Sequence, residues 1–218
     1  MENYNDEVIL QGKIIQKVVT EKMASLVIQT TSATKDRSIS NCPRVIFFSN
    51  LDQVNKFDRG DYVRVTGSLQ NYTPKQDSKM RQSIVANSIT EAKTPVEQEF
   101  GIKSSGSFHK ENEVKLAGLV LNVVDHGSLY YIYLRTVVHG RSYILLAKAY
   151  KTETNSFVAK LKHGQQIYLI GTIQTKYRTG KEERRIYFED LIAMDISLDS
   201  SFEKEAENVQ INSKEETA

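Results

Sequence analysis

The chain has one cysteine, no tryptophan and no long apolar run. A single thiol, Cys42, excludes an internal disulfide. That suits a reducing cytoplasm, although a cysteine-poor secreted protein shares the feature. No stretch approaches the ~20 apolar residues that a bilayer-crossing helix needs. The opening segment MENYNDEVILQG is acidic and then alternating, unlike a secretory signal. A cytoplasmic protein with no membrane partner is therefore expected. His109, His126, His139 and His163 are scattered without ligand spacing, and Cys42 has no CxxC partner, so no metal site is expected. There is no P-loop and no GxSxG. Glu182, Glu183 and Glu189 lie near basic residues and read as surface ion pairs. With no catalytic constellation, neither an enzyme nor a cofactor is expected.

What the chain does contain is a repeat. EVILQG (Glu7 to Gly12) returns as EVKLAG (Glu113 to Gly118), 106 positions later. GDYVRVTGSLQ (Gly60 to Gln70) returns as GQQIYLIGTIQ (Gly164 to Gln174), 104 positions later. Two segments in the same order with nearly the same shift imply one duplicated domain. Each copy, roughly 90 residues, has the size of a small independent domain.

Both copies read as strands. Val8, Leu10, Gly12 and Ile14 alternate with polar neighbours, as do Val63, Val65, Gly67 and Leu69. Val114, Leu116, Gly118 and Val120 repeat the pattern, followed by Ile167, Leu169, Gly171 and Ile173. Period two marks a half-buried strand, and glycine inside one marks a bulge, a bend or a close backbone approach. One segment per copy is spaced by three instead: Leu51, Val54 and Phe57, then Phe157 or Val158 and Leu161. Each segment stops at a glycine, Gly60 or Gly164, as a short helix does. The expected elements are strands over 7–20, 23–32 and 43–49, a helix over 51–58, and strands over 61–72 and 82–91. The second set is 113–125, 128–139, 142–150, a helix over 155–162, 165–177 and 184–194. Five strands with a helix between the third and fourth is the connectivity of the OB-fold. The chain is thus expected to be all-β, with OB-fold domains over 1–92 and 112–196.

The segment 93–111 holds Pro95, Gly101, Gly106 and several serines, and reads as a linker. Residues 197–218 are polar and acidic, and read as a flexible tail that buries too little to offset the cost of ordering. The net charge of +2 hides this division. The last 24 residues carry seven acidic and two basic side chains, leaving 27 basic and 20 acidic for the rest. A basic body with an acidic tail is familiar among proteins that bind nucleic acid.

The residues resemble those of the bacterial single-stranded DNA-binding proteins. GTIQTKYRTGKEERRIYFEDLIA (Gly171 to Ala193) is similar to that family's fourth strand, long hairpin loop and fifth strand, with an R-x-x-x-E run from Arg185 to Glu189. EVILQG, PRVIFFSNL (Pro43 to Leu51) and FDRGDYVRVTGSLQNY (Phe57 to Tyr72) carry the resemblance in the first copy. It spans roughly Asp6 to Glu91 and Glu113 to Met194. The resemblance implies single-stranded DNA as partner, with RNA as the less favoured ligand, and a task in replication, recombination, repair or DNA transfer. Family members mostly carry one OB domain and assemble four, so two per chain implies a homodimer with four domains, or a monomer. The family often stacks bases on tryptophan, absent here. Its acidic tail usually ends in an apolar tip that recruits replication and repair proteins, whereas this tail ends in NSKEETA.

A general single-strand binder needs aromatic faces for bases and cations for the backbone. With Ile132 and Leu134 turned inward, Tyr131, Tyr133 and Arg135 share the outer face of the second copy's second strand. The first copy places Ser25, Val27 and Gln29 there, a weaker surface better suited to mediating assembly. Parity with Arg44 puts Phe48 outward at the end of the third strand, with Tyr150 near the same place in the second copy. Gln70, Tyr72, Gln174 and Lys176 lie outward on the fourth strands. The hairpin loops add Lys75, Lys79 and Arg81 in the first copy, and Tyr177, Arg178, Lys181, Arg184 and Arg185 in the second. The competing reading is a protein-interaction module of a replication or conjugation complex, whose exposed tyrosines are ordinary strand formers or form an oligomer interface.

Overall fold

The computed structural model of the chain describes residues 6–33, 38–73, 81–93, 111–179 and 185–198. The first copy contributes β1 (Glu7–Val19), β2 (Ala24–Ala33), β3 (Ser38–Asn41), β4 (Arg44–Phe47), α1 (Leu51–Asn55), β5 (Tyr62–Tyr72) and β6 (Arg81–Glu91). The second contributes β7 (Asn112–His126), β8 (Leu129–Val138), β9 (Arg141–Tyr150), a 3-10 turn (Ser156–Lys160), β10 (Gln166–Thr179) and β11 (Arg185–Leu198).

Strand β1 pairs antiparallel with β2 and β5, β2 pairs with β4, β4 runs parallel to β6, and β6 returns to β5. This circuit of five strands closes on itself with the connectivity of the OB-fold. The second copy repeats the five pairings: β7 with β8 and β10, β8 with β9, β9 parallel to β11, and β11 with β10. Alternation sets what lies inside. Val8, Leu10, Val63 and Leu69 are buried, as are their counterparts Val114, Leu116, Ile167 and Ile173.

One core position shows how the copies diverged without losing volume. Ala24 pairs with Phe47 in the first copy, and the same pair in the second is Tyr130 with Ala149. The ring has moved to the opposite strand while the methyl has taken its place. Volume-conserving exchanges of this kind are the ones close-packed interiors accept best. A strand glycine marks a close approach, as its position in the alternation implies. At Gly67 a Cβ would lie 2.4 Å from the Val85 carbonyl oxygen, beside the bulge between Thr66 and Gly67.

Four elements differ from expectation. The third strand of the first copy is two pieces, β3 and β4, parted at Cys42 and Pro43. Proline has no N–H to continue the ladder, although its carbonyl still accepts from the Ile28 amide at 3.0 Å. Helix α1 stops at Asn55, three residues short of the expected end. The second copy replaces its helix by a single 3-10 turn, held by Val158 N–H to Asn155 and Leu161 N–H to Val158. Strand β11 continues to Leu198, because Ile196, Ser197 and Leu198 pair with Leu169, Tyr168 and Ile167 of β10. The predicted linker and acidic tail otherwise lie outside the described residues, apart from the linker's two ends and Ser197 and Leu198.

The copies meet through a pseudo-twofold relation. Val8 and Val114 hold the same place in the repeat and are directly opposite each other where β1 pairs antiparallel with β7. Glu7 lies opposite Lys115, and Ile9 opposite Glu113. A second contact obeys the same relation. Gln82 of β6 and Glu189 of β11 are equivalent positions. The Gln82 Oε1 accepts the Leu146 amide at 2.5 Å, and the Glu189 Oε1 accepts the Arg44 amide at 3.3 Å. Leu146 and Arg44 are themselves equivalent. Each copy therefore binds a backbone amide of the other's third strand, and Gln82 also donates to the Glu189 carbonyl at 3.4 Å.

Candidate nucleic-acid interface

The outer face of β8 is built as its alternation implies. Ile132 and Leu134 are fully buried. Tyr131 and Tyr133 are half-buried and Arg135 is exposed, all on the opposite side. Their neighbours on β9 are set by register: Lys148 lies opposite Tyr131, Leu146 opposite Tyr133 and Ile144 opposite Arg135.

Around Tyr131 the rings and charges are already organised. His126, at the end of β7, stacks on it with centroids 4.7 Å apart and planes 3° from parallel. The Lys148 ammonium lies 5.3 Å from the same ring centroid, within cation–π range. Asp190 of β11 ties Lys148 at 2.7 Å and Lys176 at 3.4 Å into one cluster. The result is an aromatic platform with two lysines near it, one of which is half exposed.

Tyr133 belongs to a different feature. It lines a cleft of about 310 Å³ between the copies, together with Tyr72, Arg81, Gln82, Leu146, Phe188, Glu189 and Asp190. The Arg81 guanidinium lies 5.8 Å from the Phe188 ring centroid. Burial raises the Glu189 carboxyl above the ordinary range, opposed by the Arg44 amide and its positive charge. Three residues chosen from sequence, Tyr72, Arg81 and Tyr133, are thus brought together from both copies.

The remaining residues are spread more widely. Phe47 is in the core and Phe48 is 62 % exposed, the assignment that parity demands; Tyr150 is also exposed at the matching strand end. Neither lines the cleft. Arg44 is exposed, and its backbone caps Glu189. Gln70 is half-buried and donates to Ser68 at 3.1 Å, and Gln174 is half-buried on β10. Tyr177 is exposed beyond Lys176. Arg178 and Arg185 lie on the paired ends of β10 and β11, and their side chains are outside the described residues. Lys75, Lys79, Lys181 and Arg184 fall outside them altogether.

Sequence reasoning passed over His126, Lys148, Gln82 and Phe188. Lys148 had a signal, since Leu145, Ala147 and Ala149 are buried and it alternates with them. His126 needed the register of the β7–β8 hairpin. Gln82 meets Leu146 and Glu189, and Phe188 meets Arg81, across the packing of the two copies.

No family model matches the chain, and no curated protein matches it. Solved structures do. The wild-type single-stranded DNA binding protein from Thermus aquaticus superposes with a TM-score of 0.65 at 15% sequence identity, over 89% of this chain and 93% of that one. A deletion mutant of that protein gives 0.63 at 15% identity, over 88% and 93%. The chain therefore has the fold of that protein along nearly its whole length. No helix among the described residues is long and apolar enough to cross a membrane.

Proposed function

We propose that the chain binds single-stranded DNA through two OB-fold domains in tandem, with little sequence preference, and protects exposed strands during replication, recombination or DNA transfer. The observation that carries this is the outer face of β8. Tyr131, stacked on His126 beside Lys148, supplies a ring and a cation on the strand face that OB-folds use for oligonucleotides. Base stacking there accepts any base, and Lys176, Arg135 and the hairpin cations supply backbone contacts. The shared fold with a single-stranded DNA binding protein supports the same reading.

The first copy has Ser25 and Val27 where the second has Tyr131 and Tyr133. That difference favours an assembly role for the first copy, with the second bearing most of the ligand. A titration with oligo-dT, oligo-rU and duplex DNA, followed by tyrosine emission, tests the proposal. Tight preference for oligo-dT over the duplex supports it. Equal affinity for oligo-rU points to RNA, and no binding at low salt points to a protein-interaction module.

A further inference from the structure

We infer that the cleft between the copies receives a single unpaired base of the bound strand, an inference that rests on the single-strand-binding reading above. Its volume, about 310 Å³, is at the lower end of the ~300–1,000 Å³ range of small-ligand pockets. That suits one heterocycle rather than a length of chain. Tyr72, Tyr133 and Phe188 provide rings to pack against it, and the Arg81 guanidinium beside Phe188 extends that wall.

The charges decide which part of a nucleotide enters. Glu189 and Asp190 both line the cleft. Asp190 already holds two lysines through Oδ2 and Glu189 accepts the Arg44 amide through Oε1, so what the pair offers a ligand is acceptor capacity on the other oxygens, suited to the N–H groups that every base presents at its edge. One cation, Arg81, lines the cleft with its guanidinium against the Phe188 ring, whereas Lys148 and Lys176 are held on Asp190 outside the lining, and Lys176, half exposed, is open to a phosphate. A base inside with its phosphates outside satisfies both sets of groups.

The pseudo-twofold relation supplies an internal control. The counterpart of Tyr133 is Val27, and the counterpart of Tyr72 is Lys176. The other side of the axis therefore lacks the tyrosine pair, and the aromatic cleft is one-sided. Duplication produced two equivalent junction faces, and divergence placed rings on one. Because the cleft draws on β5 and β6 of one copy and β8, β9 and β11 of the other, an inserted base also ties the two copies together.

The test uses the full-length chain and oligo-dT carrying 5-iododeoxyuridine, with photocross-links located by mass spectrometry. Cross-links at Tyr72, Tyr133 or Phe188 are expected. Binding with cross-links confined to other aromatics, such as Phe48, Tyr150 or Tyr177, overturns the inference and leaves the function standing. Absence of binding overturns both. In parallel, Tyr72→Leu keeps an apolar filler at an exposed site. It is expected to weaken oligo-dT binding roughly fivefold or more with an unchanged melting temperature; unchanged affinity contradicts a base in the cleft.

Discussion

Asp6 and Asn112 occupy the same place in the two copies, and only Asn112 makes both hydrogen bonds that the place offers. Asn112 accepts the Ile173 amide at 2.9 Å and donates to the Ile173 carbonyl at 2.8 Å. Asp6 accepts the equivalent Leu69 amide at 3.2 Å, while its Oδ2 is buried without a partner. Burial raises the Asp6 carboxyl to about 7, against the pull of the Leu69 amide. A raised carboxyl stabilises the fold fully below its ordinary range, and that contribution is lost as pH rises through 7.

Asp6→Asn should therefore leave stability near pH 4 little changed and raise it at pH 8 by ~1–3 kcal/mol. Urea unfolding at the two pH values checks this. An equal effect at both would show that the carboxyl does not carry the burden assigned to it.

The clasp at Gln82 and Glu189 makes a related prediction. The first copy uses a neutral amide where the second uses a carboxylate whose titration burial displaces upward. Its contribution also declines as pH rises past the ordinary carboxylate range. Glu189→Gln can accept the Arg44 amide without burying charge. The difference between its denaturation midpoints at pH 5 and pH 8 should be smaller than that of the wild type. A difference as large as before would place the pH dependence elsewhere.

Gly67 has no room for a side chain, since the Val85 carbonyl oxygen and the Ala86 Cα lie 2.4 and 2.8 Å from its notional Cβ. Gly67→Ala should lower stability by about 2 kcal/mol or more, because both obstacles are backbone. Gly60 has open space but a φ of 111°, so Gly60→Ala costs through backbone strain instead. Thermal melts of the two variants measure these costs directly.

For the ligand surface, Tyr131→Ala combined with Tyr177→Ala should weaken oligo-dT binding by about 1–3 kcal/mol for each lost stacking partner. The far-ultraviolet circular dichroism should not change, since Tyr177 is exposed and Tyr131 faces away from the core. Equal affinity to the wild type would remove both tyrosines from the interface.

Much of the fold was legible because strand alternation is a local property. The parity of Arg44, Ile46 and Phe48 separated two adjacent phenylalanines correctly, one to the core and one to solvent. Repetition supplied the connectivity, since a reading made in one copy could be checked in the other. Local pattern does not show how strongly a short helical segment is held, so five residues around Val158 became a 3-10 turn. Nor does it show which polar residues meet across a pseudo-twofold. Gln82 and Glu189 are ordinary outward positions on a fifth strand until the other copy arrives. Strand parity alone makes Tyr133 a stacking residue on β8, and the packing of the copies makes its surroundings a cleft.

The central claim is that an unpaired strand lies along the outer face of β8 and β9. Amide hydrogen exchange with and without oligo-dT tests it most directly. Added protection is expected over 126–150 and along the ends of β5 and β6 that frame the cleft, with little change in 44–48. Binding accompanied by protection confined to the first copy, with β8 and β9 exchanging as freely as before, would contradict it.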